Sequence, residues 1–130
     1  MLEWVARNTT RGTVLAERVA IAESLLARTR GLLGTRVLPR SEALLLRPCR
    51  QVHSFFMRYA LDLVFVDRQG RVLLTRENFR TNRISPFVLR ATAVLELAAG
   101  SLASTPIEAG DVLSFEPRQG SAEGEEARCH

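Results

Sequence analysis

The chain has 130 residues, 46% of them hydrophobic, and a formal net charge of +4. That length makes one ordinary domain, the apolar content excludes wholesale disorder, and no run approaches the roughly 20 apolar residues of a membrane-spanning helix. All eighteen basic side chains are arginine, spread over the whole length, which predicts a weak field toward anions rather than a dedicated nucleic-acid face.

The start carries Glu3 and no long apolar stretch, so the expected location is the cytoplasm. Two cysteines, Cys49 and Cys129, make no disulfide framework. Residues 2–8 alternate as a strand, 9–12 signal a turn, and Thr13 to Ala20 returns as a second strand, giving an opening hairpin. Ser24 is a candidate N-cap for a helix over Leu25 to Leu33, with an apolar stripe at Leu25, Leu26, Leu32 and Leu33 flanked by Arg28 and Arg30. Ala43 to Arg47 reads as a short buried strand, and Pro48 to Gln51 turns the chain into its most apolar stretch, Val52 to Asp67.

Within that stretch Val52 to Met57 is expected to be a strand, Tyr59-Ala60 a corner, and Leu61 to Val66 a central strand apolar on both faces except at Asp62. Asp67 to Gly70 fits a type I turn with a left-handed glycine, completed by a strand over Arg71 to Arg76. Residues 77–90 read as irregular. Strands follow at Ala93 to Leu97, with Glu96 inside, and at Asp111 to Glu116, with a short helical turn after Gly100 between them. Residues 1–116 thus form a single domain, and the Gly-, Ser- and Glu-rich residues 117–130 are expected to be a disordered tail. The fold class is mainly β: a small barrel-like or sandwich domain of about eight short strands with one packed α-helix.

The run Pro48 to Asp67, Pro-Cys-Arg-Gln-Val-His-Ser-Phe-Phe-Met-Arg-Tyr-Ala-Leu-Asp-Leu-Val-Phe-Val-Asp, resembles the signature of domain-of-unknown-function family 192, an uncharacterised family of bacteria and archaea. Arg-Thr-Arg-Gly-Leu-Leu (28–33), Val-Leu-Glu-Leu-Ala-Ala-Gly (94–100) and Ile-Glu-Ala-Gly-Asp-Val-Leu (107–113) agree with it. The resemblance covers roughly residues 13–116 and implies a compact, mainly β, barrel-like fold and no known activity. Many relatives carry an export signal; none is expected here. Some have a Trp-Met-Lys version of the Cys/His motif, which weighs against Cys49 or His53 as a universal catalytic group.

Ionisable groups inside an apolar run need partners. Arg58 and Asp62 bracket the corner and could form a bidentate pair that pins it. The functional alternative has Arg58, with Arg28 or Arg30, holding an anionic group. On that basis the expected role is a binding module for a small anionic ligand or peptide carboxylate near the His53–Asp62 corner. The candidate contacts are Arg28, Arg30, His53, Ser54, Arg58, Asp62 and Glu96. Glu96 either pairs with an arginine such as Arg30 or lines a pocket.

A second reading makes Cys49 a thiol nucleophile, His53 its base and Asp62 the orienting acid, but no oxyanion-hole motif accompanies them. Cys49, His53 and Met57 are soft metal ligands, yet four residues of strand span roughly 13 Å, too far to share an ion. No metal and no cofactor are therefore expected. Arg76, Arg80, Arg83 and Arg90 interleave with Phe79 and Phe87 as a nucleic-acid stacking site would; loop arginines are usually just solvated, so nucleic acid is not the expected partner. A third reading, a purely structural protein–protein module, predicts an exposed apolar patch and no polar pocket.

Overall fold

The computed structural model describes residues 3–22, 38–54 and 59–118. Seven strands lie among them: β1 (Trp4–Asn8), β2 (Thr13–Ala22), β3 (Glu42–Leu46), β4 (Leu61–Val66), β5 (Val72–Phe79), β6 (Ala93–Ala98) and β7 (Leu113–Pro117), with one four-residue helix, α1 (Ser101–Ser104). They form a single sheet in the order β5-β4-β6-β3-β2-β1-β7. Every pairing is antiparallel except β2 with β3. A parallel pair needs a crossover, and this one falls in residues 23–41. The expected helix at Leu25 to Leu33 lies there, outside the described residues, as does most of the expected tail.

The two edges of the sheet meet at one end. The Gly70 carbonyl accepts from Leu113 N–H at 2.8 Å, Val72 N–H donates to the Asp111 carbonyl at 2.8 Å, and Gly110 N–H donates to the Val72 carbonyl at 2.8 Å. The β4–β5 turn is thereby laced to the start of β7 and the sheet curls into a half-barrel, covering edge groups that would otherwise face solvent. Gly70 has φ +83°, and a Cβ there would run into the Leu113 carbonyl oxygen. This position therefore requires glycine twice over, for its backbone conformation and for the close approach.

Curling gives the sheet two buried faces. Inside, Ala16, Val19, Leu45, Val64, Leu95 and Leu97 pack with Leu102 and Leu113. On the outer face of β3, β6 and β4, Leu44, Leu46, Leu61, Leu63, Phe65 and Val94 pack with Leu38, Val52 and Ala91. Hence β4 and β6 are buried at every residue, which is why their sequences are apolar runs rather than alternations. Removing a side chain as enclosed as Phe65 from such a core typically costs about 3–5 kcal/mol.

The mainly β class and barrel-like form are as the sequence predicts, with two differences. Of the strand expected over Val52 to Met57, residues 55–57 lie outside the described set, and the described part, residues 52–54, carries an isolated bridge, His53 with Ile84. The backbone groups of Val52 and Ser54 are bonded to Ser85 and Arg83 of the following loop rather than to a neighbouring strand. In addition β5 runs on to Phe79, still paired with β4.

Candidate functional site

Asp62 is completely buried on β4 and pairs across the sheet with Leu97, a member of the inner cluster. One carboxylate oxygen accepts the N–H of Asn78 at 2.8 Å, and the other accepts the N–H of Leu102 at 2.9 Å. Asn78 has φ +52°, a left-handed conformation asparagine tolerates better than most residues, and the β4–β5 register shifts at this point. The carboxylate thus replaces a strand carbonyl as acceptor, ties the end of β5 to β4 and anchors the first turn of α1. Arg58, its expected partner, lies outside the described residues, as do Arg28 and Arg30.

Ser54 is also buried. Its hydroxyl donates to the Arg80 carbonyl at 2.6 Å and accepts the N–H of Arg83 at 2.9 Å. Ser85 works the same way, its hydroxyl accepting the N–H of Val52 at 2.9 Å. The polar residues at the corner therefore hold the segment that follows β5. That segment and the end of β5 enclose an open hollow of about 300 Å³ lined by Arg76, Phe79, Arg80, Arg83 and Ile84, with one acid, Glu77. His53 is exposed beside it, bridged to Ile84.

Arg76 Nη1 donates to the Thr75 carbonyl at 2.9 Å, and Arg83 Nη1 lies 3.5 Å from the Asn82 carbonyl. Neither contact neutralises a charge, and among the described residues Arg76, Arg80 and Arg83 have no ion pair. Two other hollows are less suited to an anion. One, of about 330 Å³ between β2 and α1, contains Arg40, whose Nη1 already donates to Ser104 Oγ at 2.7 Å. The other, of about 350 Å³ beside Leu45 and Phe115, places Asp67 near Arg47 and Arg68.

The remaining candidates do not gather at this hollow. Glu96 follows Leu95 and precedes Leu97, both inner-face residues, so it projects to the outer face, away from Asp62. Its neighbours across the sheet are Leu44 and Leu63. It is 5% exposed, and burial pushes its carboxyl up to about 8. Cys49 packs on the outer cluster, and its thiol donates to the Gln51 carbonyl at 3.3 Å. Its N–H is bonded to Thr92, whereas Asp62 pairs with Leu97. Five residues of strand place the two about 16 Å apart along β6, so the structure does not bring the nucleophile and the orienting acid together. No group of three or more metal-ligating side chains occurs among the described residues.

A separate polar cluster draws Glu108 and Asp111 from the 107–113 motif, but no candidate site residue. The Asp111 carboxylate accepts from Asn8 Nδ2 at 2.9 Å, Arg11 Nε at 2.6 Å and the N–H of Glu108 at 3.1 Å. Burial pushes this carboxyl up, but those three donors together outweigh it and hold the group below its ordinary range. Only the folded turns bring residues 8, 11, 108 and 111 together.

Comparison with known proteins adds a family and a fold. The model of domain-of-unknown-function family 192, described as an uncharacterized ACR, matches residues 6–115. The chain is 25% identical over 116 residues to UPF0127 protein TK1120 of Thermococcus kodakarensis, covering 86% of this chain and 73% of that one. A crystal structure of a candidate transcription regulator from Sinorhizobium meliloti superposes with a TM-score of 0.77 at 22% identity, covering 88% of this chain and 94% of the other. A protein of unknown function from Novosphingobium aromaticivorans gives 0.73 at 23% identity, covering 86% and 83%. At those identities the two structures share the fold alone.

Proposed function

Because the chain belongs to domain-of-unknown-function family 192, which comes with no activity, we propose its role from its own geometry: a binding module for a small anionic group. The group would be a phosphate or a carboxylate, held in the hollow beside the His53–Asp62 corner. Arg76, Arg80 and Arg83 supply the charge, His53 rims the hollow, and Ser54 and Asp62 position the backbone that carries the arginines. The observation that supports this reading is a trio of exposed guanidinium groups without carboxylate partners among the described residues, mounted on a segment fixed by two buried polar side chains. Guanidinium forks suit the planar or tetrahedral oxygens of such anions.

The test is an NMR titration of the full chain with inorganic phosphate. Amide shifts should concentrate on residues 76–85, and Arg80→Ser with Arg83→Ser should weaken binding by about tenfold or more with little change in Tm. Shifts scattered over all arginines, or undiminished binding by the double variant, would remove the proposal.

A further inference from the structure

We propose that the segment from Arg80 to Arg90 docks this protein on an anionic lipid surface. The headgroup phosphate would sit among Arg76, Arg80 and Arg83, and Ile84, Phe87 and Leu89 would enter the acyl boundary. This inference rests on the anion-binding reading and adds the class of partner.

Among the described residues large apolar side chains are rarely exposed, and the three most exposed fall within six residues. Ile84 is 60% exposed, Phe87 59% and Leu89 73%. They are mounted on a fixed backbone: Ser85 N–H donates to the Val52 carbonyl, Val88 N–H to the Arg50 carbonyl and Ala91 N–H to the Val88 carbonyl. The intervening residues are the anchors, since Ser85 is buried and Val88 packs on the outer cluster. Ile84, Phe87 and Leu89 cannot turn inward without breaking those contacts.

The same stretch is cationic, with Arg76, Arg80, Arg83 and Arg90 against Glu77 alone. Ile84 lines the arginine hollow as well as projecting from the segment, so the charged and the apolar features adjoin. A ligand matching both is amphiphilic, with an anionic head beside hydrocarbon. An anionic bilayer presents that combination and deforms around projecting side chains. Single-stranded nucleic acid matches less well, because two of the three exposed groups are aliphatic and offer no ring on which a base could stack. No helix among the described residues is long and apolar enough to cross a membrane, so the contact is peripheral.

The experiment is co-sedimentation of the full chain with vesicles of phosphatidylcholine containing roughly 30 mol% phosphatidylglycerol, alongside pure phosphatidylcholine vesicles. The expected result is partitioning to the anionic vesicles that weakens with salt. Phe87→Ser with Leu89→Ser should reduce it about tenfold or more, and Arg80→Ser with Arg83→Ser should do likewise. The Phe87/Leu89 double variant should still give the phosphate-induced amide shifts of the native chain. Failure to sediment with anionic vesicles, equal binding to neutral ones, or full binding by the Phe87/Leu89 double variant would overturn the lipid assignment. If phosphate still titrates the hollow in that case, the anion-binding reading stands; if phosphate binding is absent too, both fall. A single-stranded oligonucleotide that binds more tightly than the anionic vesicles, with loss on Phe87→Ser, would also overturn it.

Discussion

Two arginine-bearing regions of this half-barrel treat the same side chain in opposite ways. At the laced end, Arg11 meets Asp111 at 2.6 Å and Glu108 at 2.9 Å. Farther along the β1–β7 ladder, Arg7 meets Glu116 at 3.5 Å and Arg118 meets Glu3 at 3.2 Å. Each of these three guanidiniums faces a carboxylate that helps join β1, its following turn or β7. Along residues 76–90 the arginines face solvent without such partners among the described residues, and Ile84, Phe87 and Leu89 face outward with them. The difference lies in what surrounds each one: four carboxylates serve the first region, and Glu77 is the one acid in the second. The first region joins turns of the barrel; the second is a platform held from beneath by Ser54, Ser85 and Asp62.

The comparison can be broken at the platform's support. Asp62→Ala leaves the N–H groups of Asn78 and Leu102 without their buried acceptor. Each such loss costs about 1–3 kcal/mol, so a fall of about 3 kcal/mol in unfolding free energy is expected by urea denaturation. Amide exchange at residue 78 should accelerate as well. An unchanged midpoint would mean the carboxylate supports neither element.

At the laced end, Asp111→Ala removes the acceptor for the buried Asn8 amide and should cost about 1–3 kcal/mol, with no effect on phosphate binding. The pH dependence has a definite sign. The Asp111 carboxyl titrates below its unfolded value of 3.8, so its contribution is present above about that pH and is lost as pH falls through the lower folded value. The native chain should therefore lose more stability than the variant on acidification below pH 4.

Glu96 acts in the opposite sense. Its folded pKa of about 8 lies above the unfolded 4.5, so the folded state holds the extra proton. Its contribution is complete below about 4.5 and is lost as pH rises toward 8. Glu96→Gln should flatten the stability profile by up to about 1.4 kcal/mol per pH unit across that window, making the variant the more stable protein at pH 8. Parallel profiles would mean that Glu96 is not held in apolar surroundings. The smallest effect expected is on stability in Arg80→Ser with Arg83→Ser, which should move unfolding free energy by less than about 0.5 kcal/mol; a larger loss would mean that these arginines support the fold.

Strand content, the Asp67–Gly70 turn and the doubly buried character of Leu61 to Val66 were legible because each depends on local pattern. The Gly70 close approach and the Asn8–Arg11–Asp111 cluster were not, since they arise only when turns far apart in sequence meet. The corner was legible as special: the ionisable Asp62 stood out against its apolar neighbours, and Ser54 was among the candidate contacts; both are buried. Their chemistry was not, because a carboxylate that binds two backbone N–H groups looks the same in sequence as one awaiting a ligand. The interleaved arginines and phenylalanines of 76–90 were a visible signal whose composition suited a nucleic-acid groove. The exposure of Ile84 and Leu89, which redirects that signal toward lipid, depends on Ser85 and Val88 taking the inward positions.

The central claim is that the arginines at residues 76–83 are free to take an anion while Arg11, held by two carboxylates at the laced end, is not. Phosphate titration followed at the side-chain Nε–H signals of all arginines tests it most directly. The account predicts saturable shifts at Arg76, Arg80 and Arg83 with Arg11 unmoved; equal, non-saturating shifts at every arginine would contradict it.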